Sequence, residues 1–233
     1  MSDFFFIALP YLAIALAFGV GAYRFYKHPY TYSSLSSQLL ESRKLYWGSV
    51  PWHYGIGFIL LAHLLAAIFP GATTALLGDP IRRMILECTG IALSIMALVG
   101  IIILILRRTG YAKLARFVTS GMDGLILALL LLQVLTGIGV ALFNRWGGLW
   151  YVHTAVPWFW SLARLHPETA TVAHLPGFIQ IHFVLGFILI LLFPFSRLVH
   201  LIKFPVHYLW RPYQKVIWYR GPGHPLSRRG EHE

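Results

Sequence analysis

Five runs of apolar residues divide the chain, at roughly 4–23, 51–70, 84–106, 121–143 and 177–200, and each is long enough to cross a bilayer as a helix. Helix is the conformation such runs must take, because lipid offers no partner to an exposed peptide group. The predicted fold class is therefore all-α, an integral membrane bundle of five transmembrane helices. Composition agrees: 58% of residues are hydrophobic and only 12% charged, unlike an ordinary soluble domain. A net charge of +11 on a soluble protein would suggest nucleic acid. Here the basic residues flank the apolar runs, so the charge reads as topology and contact with membrane lipid, with no nucleic-acid partner. The N-terminus lacks a basic region and a clear cleavage site, and reads as a retained first span rather than a signal peptide.

The basic residues also set the direction. The segments after spans one and three and the C-terminal tail hold fourteen Lys and Arg, among them Arg24, Lys27, Arg107, Arg116 and Lys203. The opposite segments hold four: Arg82, Arg83, Arg145 and Arg164. The positive-inside rule then predicts the N-terminus outside and the C-terminus in the cytoplasm. The segment 144–176, rich in Trp and Tyr, is expected outside as an interfacial cap. Residues 1–217 form the predicted membrane domain, and 218–233, ending in "GPGHPLSRRGEHE", a flexible cytoplasmic tail.

Chemistry enters with histidine. Of eleven histidines, four lie in or at the ends of spans: His53 and His63 in span two, His182 and His200 in span five. A titratable ring in hydrocarbon is costly without a partner and is usually functional. Spans two and five run antiparallel, since two spans separate them. His53 is therefore predicted to face His200 near the cytoplasmic side, and His63 to face His182 nearer the outside. Each pair is suited to hold one flat metal macrocycle, as facing helices of a bundle hold haem. On ideal helices the rises disagree: roughly 27 Å from His182 to His200 against roughly 15 Å from His53 to His63. Pro194, which removes a backbone bond, is the expected place for span five to bend. The single cysteine, Cys88, and the lack of Cys-x-x-Cys-His exclude an iron–sulfur centre, structural zinc and covalent haem on this chain. Gly55, Gly57 and Gly186 stand near these histidines, where small residues admit either a macrocycle or a neighbouring helix.

These residues carry a resemblance. "HYGIGFILLAH" (His53 to His63), "TSGMDGLILALLLLQVLTG" on span four, "SSQLL", and "IHFVLGFILILLFPFSRLVH" with its eighteen-residue histidine spacing together resemble the gamma subunit of respiratory nitrate reductase. That family is the dihaem cytochrome b membrane anchor, and the resemblance covers about residues 10 to 217. It implies two b haems on the four histidines and quinol as electron donor. It also implies an iron–sulfur beta subunit and a molybdenum-containing catalytic alpha subunit as partners, and the cytoplasmic membrane as location. Quinol is expected to be oxidised near the outer face, with electrons leaving inward, while nitrate is reduced on a partner. Two partners suit Arg197: Asp123, on the same side, or an inner haem propionate. Two also suit Arg82 and Arg83, with Asp79 beside them: lipid headgroups or a quinol oxygen. Alternative functions are the gamma subunit of a sulfite or heterodisulfide reductase-like complex and, in another class, a histidine-lined transporter. The absence of an internal repeat disfavours the transporter.

Overall fold

The computed structural model describes residues 3–28, 43–110, 120–144 and 147–201, all within the unit Met1–Leu201. The predicted 217/218 boundary, "SSQLL", Arg116, Lys203 and the tail lie outside the described residues. Among the described residues every regular element is helical. Five helices are long and apolar enough to span a membrane: α1 (Phe4–Lys27), α2 (Arg43–Ile68), α4 (Pro80–Gly110), α5 (Gly121–Phe143) and α7 (Gly177–Leu192, continued as a 3₁₀ turn to Phe195). Two shorter helices connect them: α3 (Pro70–Leu77) and α6 (Val156–Ala163).

The ends of these helices follow local chemistry. Ser120 caps α5 in a reciprocal box, in which its hydroxyl accepts from the Asp123 amide and the Asp123 carboxylate accepts from the Ser120 amide. Asp79 caps α4, its carboxylate accepting from the amides of Ile81 and Arg82. The segment between spans two and three is mostly the helix α3. Span two begins earlier than its hydropathy suggests, because Pro51 lies inside α2 rather than at its start.

Packing is sequential across the bundle. α2 lies along α4, α4 along α5, α5 along α7, and α7 along α1. The α2–α4 contact is close because glycine allows it. A Cβ on Gly55 would stand 2.7 Å from the Leu93 carbonyl oxygen, and one on Gly100 2.5 Å from the Trp52 amide nitrogen. Trp52, Ala97, Ile101 and Val134 are buried there. α2, which carries His53 and His63, and α7, which carries His182, make no extended contact with each other among the described residues.

The segment after α5 departs from expectation. It is helical, one α-turn (Gly147–Trp150) and a π-turn (Tyr151–Ala155) leading into α6. Of its aromatic rings Trp158 is core, Trp150 and Tyr151 are partly buried against it, and Trp160 is exposed. Trp158 is fully buried, stacked on Phe183 at 5.3 Å and edge-on to Phe6 and Phe187. Its indole N–H donates to the Phe6 carbonyl, so this cap joins α1 to α7. Trp146 lies outside the described residues.

Span five is not one straight helix. The α-helix stops at Leu192, a 3₁₀ turn covers Phe193–Phe195, Ser196 is extended, and a second 3₁₀ turn covers Arg197–Leu201. Pro194 has no N–H to continue the ladder. The Arg24 guanidinium of α1 donates to the Pro194 carbonyl, and the Ser196 hydroxyl closes the turn on Phe193. His200 therefore does not sit five straight turns below His182.

Candidate functional site

At one end of the bundle the imidazoles of His53 and His200 lie 5.9 Å apart between centroids, steeply inclined to each other. At the other end His63 and His182 are electrostatic neighbours. The break after Leu192 brings His200 to α2, and the start of α7 carries His182.

The ring nitrogens decide what these histidines can do. Nδ1 of His53 lies 2.7 Å from the Ser49 carbonyl oxygen and 3.1 Å from the Ser49 hydroxyl. Nδ1 of His63 lies 2.8 Å from the Ile59 carbonyl, and Nδ1 of His200 2.7 Å from that of Arg197. A carbonyl only accepts, so each Nδ1 carries the proton and each Nε2 keeps its lone pair. That tautomer, anchored through Nδ1, is the one metal-ligating histidines adopt. His182 reaches the same state differently. Its Nδ1 is 2.9 Å from the Thr136 hydroxyl oxygen on α5, and its Nε2 is 3.4 Å from Gln133 Nε2. Among the described residues no group of three or more His, Cys, Asp and Glu gathers to hold a metal ion alone. The histidines come in twos, the number that fills both axial positions of a haem iron. In donor type, tautomer and pairing, the residues fit two haems.

The glycines near the histidines differ in their contacts. Gly55 serves helix packing, as above. A Cβ on Gly57 would meet nothing within 4 Å, and one on Gly186 would touch only Gln133 at 3.6 Å. These two are not needed for helix contact.

Several site residues were not identified from the sequence. Tyr151, in the π-turn, stands edge-on to the His63 ring at 5.0 Å and donates its hydroxyl to the His63 carbonyl at 3.1 Å. Burial pushes the Tyr151 phenol up to about 12. On α5, Gln133 and Thr136 are a polar pair one turn apart in an apolar helix, which is the signal that marks them.

Arg197 forms an ion pair with Asp123, Nε to Oδ1 at 3.2 Å, and the Asp123 carboxylate is buried. Arg82 reaches the Ala75 carbonyl at 3.4 Å, while Arg83 is half-buried on the same turn of α4. Asp79 is occupied as the cap of α4. The Arg82 backbone N–H, joined by the Arg82 charge, holds its carboxyl below the usual range.

Residues 2–219 match a family model described as nitrate reductase gamma subunit. The chain is 31% identical to the nitrate reductase gamma chain of Bacillus subtilis, over 88% of this chain and 93% of that one. It is 34% identical to the respiratory nitrate reductase 1 gamma chain of Escherichia coli, over 93% and 97% respectively. A third relative, the nitrate reductase-like protein NarX of Mycobacterium tuberculosis, is 30% identical over 91% of this chain but only 33% of its own length.

Proposed function

Because the chain belongs to the nitrate reductase gamma subunit family, and is thus a multi-pass membrane subunit of a nitrate reductase complex, we propose that it is the complex's quinol-oxidising cytochrome b. His53 and His200 hold one b haem at the cytoplasmic level, and His63 and His182 hold another nearer the outside. The observation that carries this reading is the set of four span histidines, each with its Nδ1 held by an oxygen so that Nε2 keeps the lone pair a metal needs, on α2 and the last span. Bound there, the haems supply one-electron transfer from quinol near the outer face to an iron–sulfur beta subunit in the cytoplasm. With two histidines to each haem, no position would be left for oxygen, which would suit electron transfer rather than oxygen chemistry. Nitrate itself is reduced on a molybdenum-containing alpha subunit.

The excess of Lys and Arg after spans one, three and five supports an orientation with the His53 end in the cytoplasm, and supports the cell membrane as location. Within this reading Arg197 meets an inner haem propionate as well as Asp123, and Arg82 and Arg83 contact the quinol. The family relationship favours nitrate reductase over the sulfite and heterodisulfide reductase-like complexes and over a transporter. A pyridine haemochrome assay on the purified complex is expected to return two b haems on this chain. His53→Ala or His200→Ala removes one haem; His63→Ala or His182→Ala removes the other. One haem in the native chain, or loss of the same haem in all four variants, overturns the reading.

A further inference from the structure

His182 differs from its three counterparts in where its orientation comes from. His53, His63 and His200 each anchor Nδ1 on a carbonyl three or four residues earlier in their own chain segment. His182 crosses instead to α5, and two residues there receive its ring. The Thr136 hydroxyl lies 2.9 Å from the Leu132 carbonyl and 3.0 Å from that of Gln133, both acceptors only. Its proton is committed to them, so the Thr136 oxygen accepts from His182 Nδ1–H. One residue on, a Cβ added to Gly137 would stand 3.0 Å from His182 Cε1, closer than ordinary contact permits. Gln133, Thr136 and Gly137 fall on one face of α5 by their spacing.

We propose that the Gln133–Gly137 turn of α5 is the positioning element for this ligand: Thr136 fixes which nitrogen of His182 is offered to iron, and Gly137 fixes where the ring lies. The inference rests on the reading of His182 as a haem ligand. It makes one haem site dependent on the Gln133–Gly137 turn of α5, while no residue of that turn contacts His53 or His200 in the hydrogen bonds described. Without the hydroxyl, the imidazole loses the acceptor of its Nδ1 proton, and the tautomer that offers the Nε2 lone pair is less favoured, supported then only by the Gln133 amide that donates to Nε2 at 3.4 Å. Outer-shell partners of this kind carry about 10–100-fold in metal affinity.

The test uses the membrane-bound complex. Thr136→Val keeps the side-chain shape without the hydroxyl, Thr136→Ser keeps the hydroxyl, and Gly137→Ala crowds the ring. Haem content, the midpoint potential of each haem and its electron paramagnetic resonance signal are measured. The expected result is an altered signal and potential of the His63/His182 haem in Thr136→Val and Gly137→Ala, with haem retention there lowered about 10–100-fold. Thr136→Ser restores the native signal, and the second haem, an internal check on folding, stays unchanged throughout. Native signals in Thr136→Val, equal disturbance of both haems, or failure of Thr136→Ser to restore overturns the inference. A native complex without haem on this chain overturns the functional reading instead.

Discussion

Tyr151 makes two different contacts with one histidine. Its ring edge meets the His63 imidazole, and its hydroxyl meets the His63 carbonyl. Tyr151→Phe keeps the first and removes the second, at a cost of about 0.5–1.5 kcal/mol. Tyr151→Ala removes both and leaves the His63 ring without its neighbour. The expected outcome is a small loss of thermal stability in the Phe variant with haem content intact, and lowered occupancy of the His63/His182 site in the Ala variant. The same residue adds a pH dependence. Its phenol is raised by burial to about 12 in the folded chain, against an ordinary value near 10. The unfolded chain loses this proton first as pH rises. The contribution is thus complete below about pH 10 and is lost between about pH 10 and 12. Melting curves across that range, with Tyr151→Phe lacking this component, check it. His63 and Tyr151 are 88 positions apart. Sequence makes His63 visible through its cost in lipid, but it cannot single out one tyrosine among many aromatic residues of a cap. Thr136 and Gln133 were legible in principle as the polar pair of span four, although only the fold shows that His182 is their partner.

Among the elements, the last span departs most from the expected pattern. Pro194 marked the bend, yet the extended Ser196 and the final 3₁₀ turn depend on groups from other spans. Arg24 of α1 takes the Pro194 carbonyl, and Asp123 of α5 takes Arg197. The turn that carries His200 is therefore fastened from two sides. Asp123 also closes the capping box of α5, so one buried carboxylate holds two elements. Asp123→Asn is expected to cost about 1–3 kcal/mol and to lower occupancy of the His53/His200 site, leaving the other site intact. Haem content and melting temperature of the variant measure both effects. Unchanged occupancy would separate the ion pair from His200. The five spans were readable because apolar length is a one-dimensional property. Trp158 of α6 was not legible as core because hydropathy cannot distinguish an aromatic residue that meets lipid from one that fills a core.

For the whole molecule, the five helices form a sequence of neighbours, α2–α4–α5–α7–α1, in which the helices α2 and α7 make no extended contact among the described residues. Within the proposed function, that opening has a consequence in time. Chains are made from the N-terminus. The half-sites on α2 enter the membrane early, and 119 positions separate His63 from the matching His182. Neither haem has a second ligand until the last span arrives, so cofactor capture reports that membrane insertion is complete. A chain stopped before Gly177 should insert four spans and keep no haem, as a protease-protection assay and a haem stain of the same membranes would show together. A four-span fragment that retained haem would place the missing ligands elsewhere.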